Sequence, residues 1–163
     1  MDYASIEPHI PRLRRYARAL LGDRTRADDL VQDTLERALK KFSLWRRGTD
    51  LRAWLFTLMH NVYVNQLRTE RTTLPWTDEL DAPVSARQEN LLVARDLLAA
   101  IDALPPEFRE VVLLVGLEEF SYAETARVLG IPQGTVMSRL ARGRERLRRA
   151  LEGEQDNRIR RIK

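Results

Sequence analysis

The sequence contains no cysteine and only two histidines among its 163 residues. The absence of cysteine excludes disulfide bonds, thiolate metal sites and a cysteine nucleophile. The chain also lacks a His-Glu-x-x-His motif, a glycine-rich phosphate loop and a Gly-x-Ser-x-Gly motif. We therefore expect no catalytic residues, no metal and no cofactor, so an enzyme is the disfavoured alternative.

Long apolar runs are missing as well. No stretch approaches the ~20 apolar residues of a membrane-spanning helix, and the first residues lack the apolar segment of a secretion signal. We therefore expect no membrane insertion and a cytoplasmic protein, which the lack of cysteine fits. The hydrophobic content of 44% is enough for buried cores in one domain or two small ones.

Positive charge is concentrated at the C-terminal end. Residues 133–163 contain ten Lys/Arg and four Asp/Glu, a net +6, whereas the whole chain is only +4. The rest of the chain is therefore net −2. A local basic excess of this kind is typical of a module that binds a polyanion.

The segment 120–151 predicts two helices separated by a sharp turn. Ser121 and Glu124 form a capping-box pattern that opens the first helix, and Gly130 can end it in the left-handed conformation. Pro132 favours the start of a second helix. The residues expected to face inward from the first helix are Ala123, Ala126 and Leu129.

The second helix has an apolar stripe and a basic one. The apolar stripe consists of Val136, Leu140, Gly143, Leu147 and Leu151. The neighbouring stripe consists of Thr135, Ser138, Arg139, Arg142, Arg146 and Arg149. Two helices with a glycine turn and a basic second helix are typical of a DNA-binding helix-turn-helix, because guanidinium groups bind phosphates and guanine edges. The alternative is an ordinary amphipathic helix with a solvated arginine face.

The N-terminal part of the chain predicts two helices before a loop at 43–50. The first has apolar residues at helical spacing from Ile10 to Leu21 and ends at Gly22-Asp23, and Thr25 with Asp28 forms a second capping-box pattern. The second helix carries an acidic face, formed by Asp28, Asp29, Gln32, Asp33 and Glu36. A solvated face is the default interpretation, a docking surface for a basic partner is the second, and a carboxylate metal site is disfavoured.

A third helix is predicted from about Leu51 to Arg68. Asn61, Asn65 and Arg68 share one of its faces, and Trp45, His60 and Tyr63 are near in sequence. Aromatic rings and amides together suit unstacked bases. Buried aromatics beside a polar helix face are the alternative, and the residues alone favour it.

The remainder predicts a linker and a second helical unit. Residues 69–90 have two prolines and little periodicity, which indicates a flexible linker. Helical spacing resumes with Leu91, Ala94, Leu98 and Ile101, and the apolar segment around 108–117 is predicted as helix because no partner strand is near. Beyond Glu152 a polar tail is expected to fray.

The order of these features resembles RNA polymerase sigma factors of the extracytoplasmic-function type. The resemblance covers nearly the whole chain and rests on four blocks in the family's order: RADDLVQDTLERAL, LRAWLFTLMHNVYVNQLR, IDALPPEFREVVLL and FSYAETARVLGIPQGTVMSRLARGRERLR. It implies an all-α fold of two small helical domains, sigma region 2 at residues 1–71 and sigma region 4 at 91–152. A linker at 72–90 would join them, and a basic tail would follow at 153–163.

The resemblance also implies partners and residue roles. The acidic face would meet the clamp helices of core RNA polymerase, and Thr135, Ser138, Arg139 and Arg142, with Arg146 on the same stripe, would face the −35 element of promoter DNA. Asn61 and Asn65, with Arg68 and Trp45, would serve the −10 element, where the loop at 44–50 would capture a flipped base. Control by an anti-sigma factor is a further implication. Alternatives are a transcriptional regulator with a sensor domain and a pure protein-interaction module.

Overall fold

The computed structural model describes the backbone of residues 3–72 and 89–162, and the side chains in these ranges except those of 71–72, 89–93, 154–158 and 162. All regular secondary structure in these ranges is helical, which confirms the all-α expectation. The predicted linker lies almost entirely outside the described residues. The α-helices are α1 (Tyr3–Ile6), α2 (Ile10–Leu21), α3 (Arg24–Lys41), α4 (Leu51–Thr72), α5 (Glu89–Asp102), α6 (Pro106–Gly116), α7 (Tyr122–Leu129) and α8 (Gln133–Ile162).

The first unit is built from α2, α3 and α4, with α3 packed against both others. Gly22 ends α2 at φ 68°, and its N–H donates to the carbonyl of Arg18, as the sequence predicted. The predicted start of α3 was wrong. Its N-cap is Asp23, whose carboxylate accepts from the N–H groups of Thr25 and Arg26, because Asp23 is the residue that remains extended before the helix.

Two helices are longer than the sequence predicted. Helix α4 continues to Thr72 instead of ending at Arg68. Helix α8 runs for 30 residues to Ile162, so the expectation of fraying beyond Glu152 was wrong for the backbone. In α8 the guanidinium of Arg148 donates to carboxylates three residues before it and four after it, Glu145 and Glu152, and such pairs add to the stability of the exposed side of the helix.

The second unit is built from α5, α6, α7 and α8, and the apolar segment 108–117 is the helix α6 with a short turn. Helix α5 packs differently from the prediction. Ala94 and Leu98 are exposed, whereas Ala100 and Ile101 are buried, because only the C-terminal turn of α5 is enclosed between α2 and α8. Leu98 is 54% exposed.

Helix α7 begins with the predicted capping box. Ser121 Oγ accepts from the N–H of Glu124, and Glu124 Oε1 accepts from the N–H of Ser121, both at 3.1 Å. These hydrogen bonds hold the pKa of Glu124 below its usual value. The inward face is different from the prediction, since Ala123 is exposed and Ala126 only half-buried. The buried residues of α7 are Thr125, Val128 and Leu129.

The two units pack against each other. Helix α7 contacts α4, and α5 and α6 contact α2. The guanidinium of Arg109 in α6 donates to the carbonyl of Leu20 in the first unit. It also donates to three carbonyls near the end of α5, those of Ile101, Asp102 and Leu104. One side chain thus binds the C-terminal ends of two helices, one from each unit.

Candidate DNA and polymerase interfaces

The second helix of the helix-turn-helix presents the predicted basic stripe to solvent. Gly130 turns the chain at φ 65°, and α8 starts three residues later. Val136 and Leu140 are almost fully buried, and Leu147 and Leu151 are half-buried on the same stripe. We call the opposite set the recognition face; it comprises Thr135, Ser138, Arg139, Arg142 and Arg146. Ser138, Arg142 and Arg146 are exposed, and Thr135 and Arg139 are half-exposed.

The arginines of α8 fall into two groups by their partners. Among the described residues, Arg139 and Arg142 form no ion pair. Arg148 and Arg149 instead bind Glu145, and the paired carboxylates raise the pKa of Arg148 further above its usual value. Arg146 lies 5.0 Å from the ring centre of Phe108. Arg139 and Arg142, close to the helix-turn-helix, are therefore among the cationic groups that remain available to a polyanion.

The acidic face occupies the exposed side of α3. Asp28, Asp29, Gln32, Asp33 and Glu36 are all exposed, whereas the opposite stripe, from Ala27 to Ala38, is largely buried. Asp33 is hydrogen-bonded to the neighbouring helix α4, where Gln66 Nε2 donates to Asp33 Oδ2 at 3.2 Å. Within the described part of the chain, no three side chains of metal-binding type come together. Chemically this face is a row of solvated carboxylates suited to a basic surface.

The amide face of α4 is also exposed. Asn61, Asn65 and Arg68 lie on its solvent side. The nearby Tyr63 is buried, as the residues alone suggested. Its side chain is 2% exposed, and burial raises its pKa to about 12. His60 is half-buried, with its Nδ1 2.6 Å from Glu110 Oε1. Tyr63 and His60 are therefore packing residues in this arrangement.

Trp45 follows the short 3-10 turn Phe42–Leu44 and precedes the exposed loop that leads to α4. Its ring is half-buried and lies 5.5 Å from the ring of Phe42, which in turn contacts Trp54. The ring N–H is enclosed and has no acceptor among the described residues. Trp45 thus lies at the start of the loop, and Arg46 and Arg47, which follow it, are exposed.

A groove of about 500 Å³ separates the acidic face from the amide face. Asp33 and Glu36 line one side, and Asn65 and Gln66 line the other. Arg37 and Lys40 also line it, and sequence reasoning missed both. The available signal was that Arg37 follows Asp33, and Lys40 follows Glu36, by four residues, since this spacing places side chains on one helical face.

Sequence reasoning also missed the residues that join the two units. Glu110 and Glu118 are 7% and 2% exposed and contact the first unit. Glu110 lies within the apolar stretch of α6 and Glu118 directly follows that stretch, where an acidic residue is costly to bury without a partner. That position in an apolar run was the only signal, and it did not identify the partners.

Two family models match the chain, one in each unit. A model of the Sigma2 domain of PhyR matches residues 6–60, and a model of region 4 of Sigma-70 matches residues 94–147. The ECF RNA polymerase sigma factor EcfG of Rhodopseudomonas palustris is 38% identical over 141 residues, which are 85% of this chain and 78% of that protein. The ECF RNA polymerase sigma factor SigM of Mycobacterium tuberculosis is 34% identical over 145 residues, which are 88% of this chain and 73% of that protein.

Solved structures agree with this similarity. The sigma factor RpoE of Bartonella quintana, solved with the anti-sigma factor NepR, superposes with a TM-score of 0.76 at 29% identity and covers 91% of this chain and 95% of that one. CnrH, solved with the cytosolic domain of CnrY, superposes with a TM-score of 0.68 at 25% identity and covers 92% and 86%.

A helix-turn-helix unit with free arginines, joined to a helical unit with an acidic face, defines a helical DNA-binding transcription factor. More specifically, the chain belongs to the extracytoplasmic-function RNA polymerase sigma factors. It is accordingly a transcription initiation factor that binds core RNA polymerase and directs it to promoters. None of the helices that the structure describes is long and apolar enough to cross a bilayer.

Proposed function

We propose that each of the three exposed faces has a different binding function of a sigma factor. The recognition face of α8 reads the −35 element, the amide face of α4 with Trp45 serves the −10 element, and the acidic face of α3 binds core polymerase. The observation that carries this proposal is the state of Arg139 and Arg142. They lie on the open side of a helix whose other side is buried, without a carboxylate partner among the described residues.

The recognition face has the chemistry of major-groove reading. An arginine can form two parallel hydrogen bonds to the O6 and N7 atoms of guanine, and small hydroxyl groups such as that of Ser138 let the helix approach closely. Arg146 lies one turn beyond Arg142 and would bind the backbone phosphates. Specificity therefore comes from few base contacts, and most of the affinity comes from phosphates and polymerase.

The first unit supplies the other two contacts. Asn61 and Asn65 offer amide groups to base edges, Arg68 offers charge to phosphates, and the loop above Trp45 would hold an unstacked base. The amide face and the acidic face line opposite sides of the groove between α3 and α4, which supports adjacent roles for them. In this proposal residues 1–71 form sigma region 2, residues 91–152 form region 4, and the rest of α8 belongs to a basic tail.

We further propose that the chain works in the cytoplasm, is not an enzyme, and is restrained by an anti-sigma factor. The support for restraint is that two sigma factors of similar fold were solved with such inhibitors, RpoE with NepR and CnrH with the cytosolic domain of CnrY. Co-purification from native cells tests it: a stoichiometric partner that blocks holoenzyme formation is expected, and consistent recovery of the free chain contradicts it.

In vitro transcription with purified core polymerase tests the residue assignment. Transcript mapping after overproduction first identifies the induced promoters and their shared upstream motifs. The purified chain should then give transcripts from these promoters and none from templates with scrambled −35 or −10 elements. Transcription that is insensitive to both elements would contradict the division of roles between α8 and α4.

A further inference from the structure

Helix α8 carries one exposed apolar side chain that none of the roles proposed above uses. Met137 is 51% exposed and is the fifth residue of the helix, which begins at Gln133. Among the described residues of α8, the other large apolar side chain exposed to this degree is Ile159, near the opposite end of the helix. In a helix-turn-helix, the N-terminal residues of the second helix are those that contact base edges in the major groove. Met137 therefore lies on the part of α8 that would meet the bases.

Met137 and Ala141 together form an apolar surface, which we call the apolar flank of α8. Ala141 follows Met137 by four residues, the spacing that places two side chains next to each other on a helix, and it is exposed as well. Gly134, three residues before Met137, has no side chain, and no atom lies within 4 Å of the position that its Cβ would take. The approach to the apolar flank from the start of the helix is therefore open.

The apolar flank and the arginines lie on opposite sides of Ser138. With 3.6 residues per turn, Ala141 is displaced around the helix by about 60° from Ser138 in one direction, and Arg142 by about 40° in the other. Met137 and Arg139 lie further round on these two sides, each at about 100° from Ser138. A helix that enters the major groove with Ser138 toward the bases therefore turns its guanidinium groups to one side of the groove and its apolar flank to the other. The two sides offer different chemistry to the base edges.

The base that matches the chemistry of the apolar flank is thymine. Thymine presents an apolar group in the major groove, its C5 methyl group, and alanine is one of the side chains that contact it there. The side chain of Met137 is unbranched and polarizable, so it can adapt to the surface of a methyl group. Guanine, adenine and cytosine present N7, O6 or amino groups instead, and these polar atoms would lose hydration against a thioether without gaining a good hydrogen bond.

We propose that Met137, with Ala141 beside it, selects a thymine in the −35 element by contact with its C5 methyl group. This inference rests on the proposed reading of the −35 element by α8, and it adds a base-reading residue whose chemistry is opposite to that of Arg139 and Arg142. The arginines read guanine through hydrogen bonds, whereas the apolar flank reads thymine through the removal of apolar surface from water. The −35 element of this chain therefore contains at least one A·T pair, next to the pairs that the arginines read.

Deoxyuridine tests this contact, because it pairs with adenine as thymidine does and lacks only the methyl group. Duplex DNA of a promoter identified by transcript mapping is prepared with deoxyuridine at each −35 thymine in turn, and competition assays measure its binding by the holoenzyme. At one thymine, or at two neighbouring ones, the exchange should weaken binding by the unsubstituted chain about fourfold. This factor corresponds to about 0.8 kcal/mol, the contribution of one buried CH₂ group. At the other thymines it should have little effect.

Variants at position 137 assign the methyl effect to one side chain. Met137→Gln keeps the length of the side chain but replaces its apolar end, so thymidine and deoxyuridine should bind equally well at the sensitive position. Met137→Leu keeps an apolar contact and should retain a preference for thymidine. Ile159→Gln is the control, since it removes an exposed apolar side chain roughly 33 Å further along the same helix, and it should leave the preference unchanged.

Three results would overturn the role of Met137. They are equal binding of thymidine and deoxyuridine at every −35 position by the unsubstituted chain, a methyl effect that persists undiminished in Met137→Gln, and a −35 element without an A·T pair. A scrambled −35 element tests the proposed function separately. If the unsubstituted holoenzyme binds scrambled and intact elements equally, α8 does not read the element at all. If scrambling weakens binding but loss of the methyl group does not, only the role of Met137 is refuted.

Discussion

Gly143 in α8 lies directly against Val112 in α6. A Cβ atom added at Gly143 would stand 2.7 Å from Val112 Cγ2 and 3.5 Å from the Cβ of Phe108. Valine is stiff at χ1, so the clash cannot be relieved by a simple side-chain rotation. We expect Gly143→Ala to lower the free energy of unfolding by about 1–3 kcal/mol, as overpacked core substitutions do.

The control for this substitution is on the same helix. Gly153 has no atom within 4 Å of the position that its Cβ would take. Gly153→Ala should stabilise the chain by about 0.5–1 kcal/mol, since alanine is the better helix former. Thermal and urea unfolding of both variants measure the difference, and equal effects would show that Gly143 is not needed for close packing.

Arg139 and Arg142 should determine the response to the −35 element. Alanine at either position should reduce transcription from an intact promoter by about 10- to 100-fold, since a two-bonded arginine–guanine contact contributes about 1–3 kcal/mol of discrimination. The same variants should be nearly insensitive to a change in the −35 sequence, because the reading group is already absent. Arg144→Ala, an exposed arginine two residues from Arg142 and on another side of α8, should retain the wild-type response to both templates.

The acidic face should set the affinity for core polymerase. The combined substitutions Asp28→Asn, Asp29→Asn and Glu36→Gln should raise the dissociation constant of the holoenzyme about tenfold, equivalent to about 1.4 kcal/mol. The association rate should also depend less on salt, since these charges steer the encounter. Fluorescence anisotropy with core polymerase measures both quantities. Glu7→Gln, an exposed acidic residue outside this face, should have no effect, and an equal loss in that variant would point to net charge alone.

The capping box at α7 should make part of the stability depend on pH. The pKa of Glu124 is lowered in the folded chain by its hydrogen bonds to Ser121, so its carboxylate stabilises the fold at pH above its unfolded value, about 4.5. The advantage of the natural chain over Glu124→Gln should therefore be present at pH 7 and disappear as the pH falls through the folded-state pKa, below 4.5. Urea unfolding at several pH values between 3 and 7 measures this difference, and a constant gap would contradict it.

Local chemistry was sufficient to predict much of the helix-turn-helix. The capping box at Ser121, the left-handed turn at Gly130 and the inward-facing stripe of α8, which is buried at Val136 and half-buried at Leu151, were all correct. Each depends on residues within a few positions of one another. The family resemblance supplied the order of the two units, which periodicity alone could not.

The wrong predictions arose where distant contacts decide burial. Ala94 and Leu98 have core spacing, but α2 and α8 enclose only the end of α5. Ala123 also faces solvent, and Thr125 is buried in its place. Helical spacing establishes that a helix has one apolar side, but the packing of its neighbours determines how much of that side is covered.

For the candidate site too, local patterns predicted which faces are exposed but not which distant residues are in contact. The acidic, amide and recognition faces are exposed, as their patterns indicated. When the apolar stripe of a helix packs into the core, the polar stripe opposite it faces solvent. Their assignments to polymerase, −10 and −35 remain predictions. The contacts of Glu110 and Glu118 with the first unit were not predictable, since their partners are 50 and 103 residues away.

The guanidinium of Arg109 donates to four main-chain carbonyls, three from one helix end and one from another. Lysine has three donors on a single rotating nitrogen and could not reach this spread of acceptors, so the exchange of one cation for the other would not be conservative here. The positive charge also faces the negative ends of two helix dipoles. A single side chain thus caps the C-terminal ends of two helices. Separation of the two units would therefore remove the positive charge that faces the C-terminal end of α2.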